Sequence, residues 1–317
     1  MSPHPRRSRG FTLVEILVVV AIIVILMAIL IPTAMGMISK ARNAAIGVEI
    51  SQIATGFNEY KKEHGDYPPS MGEIYTVANG ACYSTVAERH LLRCYPKMDP
   101  NHKVFFYNNI APRLGNDESI VFWLAVIAND PRYPFKNLGF DNNGVFGWAP
   151  QPGTTVLTQY PGPYTRFVHF EFDERRLQDL DADVMPAYSA LYGKDTPYVY
   201  FDSRTYLLHC QSGNAAVGNR VQPMTDGRKI ANLSSSQPPS LPQKQDPRLQ
   251  MFVNPNTFQV HCAGQDGEFG MVPNVFGGGF NWDKTKQFPG MANTNEEDSD
   301  NMADFTEGRK LIDHRDP

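Results

Sequence analysis

The pattern of apolar and polar positions divides the chain into a beginning unlike the rest. Residues 16–31 are apolar without exception, and counted from Phe11 the run reaches 21 residues, with Thr12 and Glu15 as its polar positions. A helix needs roughly 20 such residues to cross a bilayer, so this segment is long enough to span one. Beyond Pro32 the pattern becomes amphipathic: Ile46, Ile50, Ile53, Phe57 and Tyr60 recur at helical spacing. Lys40, Arg42, Glu49, Gln52, Asn58, Glu59, Lys61 and Lys62 fall on the other faces. The two patterns predict one helix that leaves an apolar medium and continues into water. Read through to His64 it measures about 80 Å at about 1.5 Å per residue. Gly65-Asp66 and Pro68-Pro69 end it, and Pro32 and Gly36 are the places for a bend or a local loss of helical hydrogen bonds.

After residue 66 the alternation shortens and turn residues multiply. HKVFFYNNI (102–110), RFVHFEFD (166–173) and PYVYFDSRTY (197–206) read as strands, being rich in aromatic and β-branched residues. ESIVFWLAVIAND (118–130) reads as a buried helix closed by Pro131, and SSSQPPSLPQKQDP (234–247) as an exposed loop. The predicted fold class is α+β: a long N-terminal helix packed on an antiparallel sheet, with long loops.

Composition narrows the functions. A hydrophobic fraction of 42% suits a globular core, while a net charge of −4 supplies no basic stripe for nucleic acid. Four cysteines, Cys82, Cys94, Cys210 and Cys262, are scattered without a CxxC pair. They are compatible with two disulfides in an exported chain, and all three pairings stay open. The sequence lacks GxSxG, HExxH, a P-loop and a dinucleotide fingerprint, and its eight histidines do not cluster at metal-ligand spacings. His209 and His261 adjoin Cys210 and Cys262, which reads as strand histidines beside cysteines more readily than as catalytic pairs. Tyr198, Tyr200 and Tyr206 suit either a ligand surface or core packing.

Glu15 is the anomaly of the apolar segment. An ionised acid in hydrocarbon costs several kcal/mol unless it is paired. A removable secretory signal shares the basic start, here Arg6, Arg7 and Arg9, and Ala34-Met35-Gly36 offers a small-residue cleavage site. Against that reading stand the length of the apolar run, the acid in its path and the helical pattern after Pro32. The arginines hold the N-terminus in the cytoplasm, although Lys40 and Arg42 beyond the run weaken the asymmetry.

Gly10-Phe11-Thr12-Leu13-Val14-Glu15, behind a short basic leader and before an unbroken apolar helix with a proline at 32, resembles the N-terminus of type IV pilin-like proteins. The resemblance implies cutting between Gly10 and Phe11 by a membrane-embedded prepilin peptidase and methylation of the new Phe11 amine. That amine is the partner Glu15 needs. The family implies pairing with a neighbouring subunit's amine in a filament, while the four-residue spacing also permits an intrachain pair. EYKKEHGDYPPSMGEI (59–74) is similar to the end of the long helix in major pseudopilins of type II secretion. CAGQDGEFG (262–270) and DSDNMADF (298–305) resemble that subfamily's calcium loop, which implies Ca²⁺ held by Asp266, Asp300 and Asp304. The two pieces are interrupted by a Gly-rich insertion at 277–279, and a solvated acidic tail accounts for the same residues. Asp179, Asp181 and Asp183 alternate like an EF-hand loop but lack its glycine and closing glutamate, and FDNNGVFG (140–147) reads as an Asn-Gly turn or a metal loop.

The expected organisation is a cleaved leader at 1–10, a transmembrane assembly helix at 11–32, its amphipathic continuation at 33–65, and a periplasmic domain at 66–317. That domain includes the loop at 234–247 and an acidic C-terminal region at 294–317. The expected role is a structural subunit of a type II secretion pseudopilus or related filament, single-pass in the inner membrane. Its partners would be other copies of itself and other pseudopilins, the peptidase, the inner-membrane assembly platform and lipid, but not nucleic acid. The alternative is a membrane-anchored adhesin or ligand-binding protein displayed by the same route.

Overall fold

A computed structural model describes residues 12–71, 81–111, 114–127, 130–135, 148–150, 157–159, 169–178, 186–192, 196–206, 221, 223–224, 252–269, 288 and 300–314. The chain divides into two units, Met1–Arg42 and Asn43–Pro317. The long first helix, α1, is Leu13–His64, and its helical backbone continues past Pro32 and Gly36. Next to the proline, the Thr33 hydroxyl donates to the Leu30 carbonyl at 2.8 Å and to the Ile29 carbonyl at 3.2 Å, so backbone acceptors beside the missing proline N–H gain a partner. In the first unit every residue from 12 to 38 is exposed.

In the second unit the predicted stripe is the floor of the core. Ile46, Ile53 and Phe57 have no exposed surface, and Ile50 and Tyr60 have almost none. Burying each such side chain is worth about 1.5–3 kcal/mol, which fixes the face that the helix turns inward. Phe57 stacks on Tyr200 with ring centroids 4.1 Å apart and lies 5.3 Å from Phe258. The helix stops at Gly65, and the following segment runs through the interior with its polar groups satisfied. The Pro68 carbonyl accepts from Tyr200 Oη at 2.8 Å and the Pro69 carbonyl from Trp123 Nε1 at 2.9 Å. Met71 N–H donates to Ser119 Oγ at 2.9 Å. A buried stretch without regular structure is tolerated where side chains supply partners to its backbone groups, as these three bonds do.

The remaining helices are α2 (Ala81–Cys94), α3 (Pro100–Phe105), which widens into a π turn at Phe106–Ile110, and α4 (Ser119–Val121), which widens likewise at Phe122–Val126. Among the described residues, three small antiparallel sheets join β1 (Trp148–Pro150) to β2 (Leu157–Gln159), β3 (Leu177–Gln178) to β4 (Ala187–Tyr188), and β5 (Val199–Asp202) to β6 (Phe258–Cys262) and then to β7 (Met302–Ala303). The fold is α+β, with a long N-terminal helix and small antiparallel sheets. In the three-stranded sheet Tyr200 on β5 and Phe258, Val260 and Cys262 on β6 enter the cluster on α1, whereas Val199 and Phe201 serve a second cluster. This is the period-two alternation of a sheet buried on both faces.

Two expected strands are corrected. Residues 102–110 are helical, because Asp99 caps the helix by accepting from Asn101 N–H at 2.8 Å and Pro100 occupies the first turn. These start signals outweigh the β propensity of the aromatics. Residues 169–173, the described part of 166–173, form no strand; Phe170 and Phe172 pack edge to face, centroids 4.5 Å apart. Residues 197–206 do contain a strand, and 119–126 form the buried helix expected there. The loop at 234–247, the alternating acids at 179–183 and the turn at 140–147 lie outside the described residues. Of the acidic C-terminal region, residues 300–314 carry β7 and two short 3₁₀ turns, with Met302, Thr306 and Leu311 fully buried.

One polar residue of α1 faces inward against expectation. Glu49 receives Arg176 in a two-pronged ion pair, Nη1 to Oε1 at 2.6 Å and Nη2 to Oε2 at 2.8 Å, and both Tyr188 and Tyr198 donate hydroxyls to it. Four donors on one carboxylate clasp the helix to β4 and the segment before β5. Glu49→Ala should lower stability by about 3 kcal/mol, because Arg176 then stays largely buried without its anion, while Glu49→Gln should cost less. The midpoint of thermal unfolding of the detergent-solubilised chain measures both.

Candidate assembly and cation-binding sites

Glu15 stands in the first turn of α1, and Thr12 is the residue before that helix. The Thr12 N–H donates to Glu15 Oε2 at 2.8 Å, the Thr12 hydroxyl donates to the same oxygen at 2.9 Å, and Glu15 N–H lies 3.2 Å from the Thr12 hydroxyl oxygen. This is a capping box, in which a hydroxyl and a carboxylate three residues apart satisfy backbone donors that a helix start leaves free. The positive end of the helix dipole adds to it. The spacing Thr-x-x-Glu, a capping-box signature, is present in the sequence at 12–15. Gly10 and Phe11 themselves lie outside the described residues.

The three acids expected to hold calcium separate into a pair and a single group. Around the turn at residues 264–267, Asp300 Oδ2 accepts from Gln265 N–H at 2.8 Å and Asp266 N–H at 3.2 Å, while Asp266 Oδ1 accepts from Glu268 N–H at 2.8 Å. Gly264 turns with φ at +70°, and a Cβ there would stand 2.3 Å from the Asp300 carbonyl oxygen, so only glycine lets the two segments meet. Burial and the neighbouring Asp300 carboxylate together push the Asp266 carboxyl upward. Asp300 Oδ1 is shielded from solvent and has no hydrogen-bond partner among the described residues.

Asp304 is engaged elsewhere. Its Oδ1 accepts from Val260 N–H and its Oδ2 from Asn254 Nδ2, both at 2.8 Å. Full burial outweighs those bonds and pushes its carboxyl up to about 7.

Cys94 and Cys262 carry free thiols, so neither of these two is in a disulfide; the side chains of Cys82 and Cys210 lie outside the described residues. His261 and Cys262 point to opposite faces of β6: His261 packs on Phe201, and Cys262 is in the main core with its thiol pushed up to about 12 by burial. Cys94 Sγ does lie 3.5 Å from His90 Nε2, yet burial raises that thiol to about 11, and it stays protonated at neutral pH. Tyr198, Tyr200 and Tyr206 have no exposed surface and are core residues rather than a ligand face. One histidine grouping escaped the sequence altogether: the fold brings His64 and His169 together beside Glu63, and burial lowers both imidazole pKa values.

Residues 5–31 match the family model described as the prokaryotic N-terminal methylation motif, the type IV pilin and pseudopilin signature. Comparison with curated proteins and with solved structures finds no match. The chain therefore carries the processing and methylation signature of a structural family at the head of its long apolar helix, and that motif implies processing by prepilin peptidase and assembly with similar subunits.

Asp304 makes stability depend on pH with a definite sign. Its folded pKa of about 7 exceeds the ordinary aspartate value of 3.8, so between these values the folded chain holds a proton that the unfolded chain has lost. Raising the pH through that window should therefore reduce stability, by at most about 1.4 kcal/mol per pH unit. Melting curves between pH 4 and pH 8 should show this slope, and Asp304→Asn should flatten it.

Proposed function

We propose that this chain is a structural subunit of a type II secretion pseudopilus or a related type IV pilus-like filament. It is cut between Gly10 and Phe11 and assembled through the first half of α1. The observation that carries the reading is the methylation motif at residues 5–31, whose residues 13–31 lie on a helix that is exposed at every residue from 13 to 38. So large an apolar surface is unstable in water and needs lipid or like helices around it. Lipid supplies little driving force for leaving it, so extraction into a filament requires replacement contacts of equal apolarity, which identical helices provide. In this reading the N-terminus is cytoplasmic, the second unit is periplasmic, and the chain meets the assembly platform in the inner membrane.

The capping box gives Glu15 a partner before assembly, and a neighbour's Phe11 amine gives it one afterwards. Assembly is then an exchange of satisfied states, and the acid is never left bare in hydrocarbon. Glu15→Ala should leave the mature N-terminus at a methylated Phe11 but reduce incorporation into sheared filaments by tenfold or more, about 1.4 kcal/mol per tenfold. Mass spectrometry of the N-terminus and quantification of the filament fraction read the two effects separately. An uncut wild-type chain in cells that make the peptidase would sink the reading.

A display protein on the same anchor is the second reading, and one feature favours it. A cleft of about 650 Å³ is lined by Lys61, Arg89 and Arg93 together with the Asp66, Asp202 and Arg204 cluster, an arrangement with surplus positive charge. A display protein would keep ligand binding in the Glu15→Ala variant and show no filament defect.

Calcium at the Asp266 and Asp300 pair belongs to the same proposal. Two adjacent carboxylates with an unsatisfied oxygen between turn segments are stabilised by a hard cation, and Asp304 stands outside this set. Ca²⁺ at a hundredfold excess over its dissociation constant should stabilise the chain by about 2.7 kcal/mol, and Asp300→Asn should abolish that response. An unchanged melting midpoint in the wild type would remove calcium from the account.

A further inference from the structure

Glu63 and His64 are the last two residues of α1, and His169 lies on the segment before β3 that crosses the same helix. One ligand atom from each lies within 4.8 Å of the others, and His169 Nε2 is 3.5 Å from Glu63 Oε2. We propose that Glu63, His64 and His169 form a binding site for a divalent transition-metal ion of the zinc class.

The donor set decides the class of ion. Two imidazoles and one carboxylate suit Zn²⁺ and its borderline neighbours, whereas Ca²⁺ and Mg²⁺ select oxygen ligands. Zinc bonds of about 2.0–2.2 Å need tetrahedral donors closer together than the apo arrangement holds them, so the ligands must draw in by about 1 Å. The Glu63 side chain is 40% exposed, whereas that of His169 is 7% exposed, so the carboxylate is the more solvent-accessible of the two.

The histidines are held more firmly. The Tyr60 ring lies 4.3 Å from the His64 ring and meets the His169 ring edge to face at 5.4 Å. The backbone N–H of His169 donates to the Leu124 carbonyl at 3.1 Å. A Cβ on Gly56 would stand 3.0 Å from the His169 backbone carbonyl oxygen, so glycine there leaves room for the close approach of this segment to the helix. These contacts fix the His169 backbone against α1, and the Tyr60 ring packs on both imidazoles. Charge balances as well: Glu59, one turn before Glu63, shares the surface groove of His169, and both acids act on that imidazole. Two carboxylates neutralise one dication.

A simple surface pairing of Glu63 with His169 is the competing account, and a metal titration separates the two. Untagged full-length chain, freed of metal in detergent micelles, is titrated with Co²⁺ alone. A saturable visible absorption of tetrahedral type, with one ion per chain and displacement by Zn²⁺, is the expected result. His64→Gln and His169→Gln should each weaken binding by about 100-fold, the upper range for losing even a supporting contact. Their metal-free melting midpoints should stay at the wild-type value, which excludes misfolding as the cause. No saturable spectrum at micromolar Co²⁺ in the wild type would overturn the site, as would wild-type affinity in both variants.

Discussion

The second unit depends on the apolar stripe of α1 finding a cover. Ile46, Ile50, Ile53, Phe57 and Tyr60 are all buried, and the elements that bury them come from residues far away in the chain: Trp123 from α4, Tyr200 from β5, Phe258 from β6. Glu49 interrupts this face with a charge, and its four donors from Arg176, Tyr188 and Tyr198 turn a liability into a fixed register. A stripe of hydrophobic residues alone tolerates sliding by a turn; a carboxylate that must meet one guanidinium does not. The pair fixes register more than it adds net stability, since desolvation offsets much of its attraction.

The other half of the same helix obeys the opposite rule. Its residues are apolar around the whole circumference and uncovered, which suits a medium of lipid tails or of like helices. Thr12 and Glu15 meet the single polar demand at its start by satisfying each other. The acid is then compatible with two environments without a change in the chain's covalent structure beyond processing.

Much of the site chemistry lies in places where loops meet strands or the end of α1. Asp266 and Asp300 come together because Gly264 permits a backbone approach that any side chain would block. Asp304, four residues further along, enters the sheet instead and is bound by Val260 and Asn254. The resemblance thus groups three acids of which the fold pairs two: Asp300 and Asp304 are near in sequence, but the 3₁₀ turn after β7 carries the last one to different partners. The histidines fail in the reverse sense. His64 and His169 share no motif, so their meeting is invisible until the segment before β3 is laid across α1.

Residue pattern alone determined the long helix, its end at Gly65, the inward stripe and the family signature at the N-terminus, because each is written in local periodicity or in a short contiguous motif. It also placed the strand at 199–202 and the buried helix after residue 118. Residues 102–110 became helical because a capping aspartate and a proline at the start override aromatic content. Tertiary structure alone decided that Glu49 faces inward, that Asp304 leaves the acidic group, and that His169 reaches Glu63 and His64. Those outcomes depend on which surfaces exclude water together, a property of packing between distant segments that no local pattern encodes.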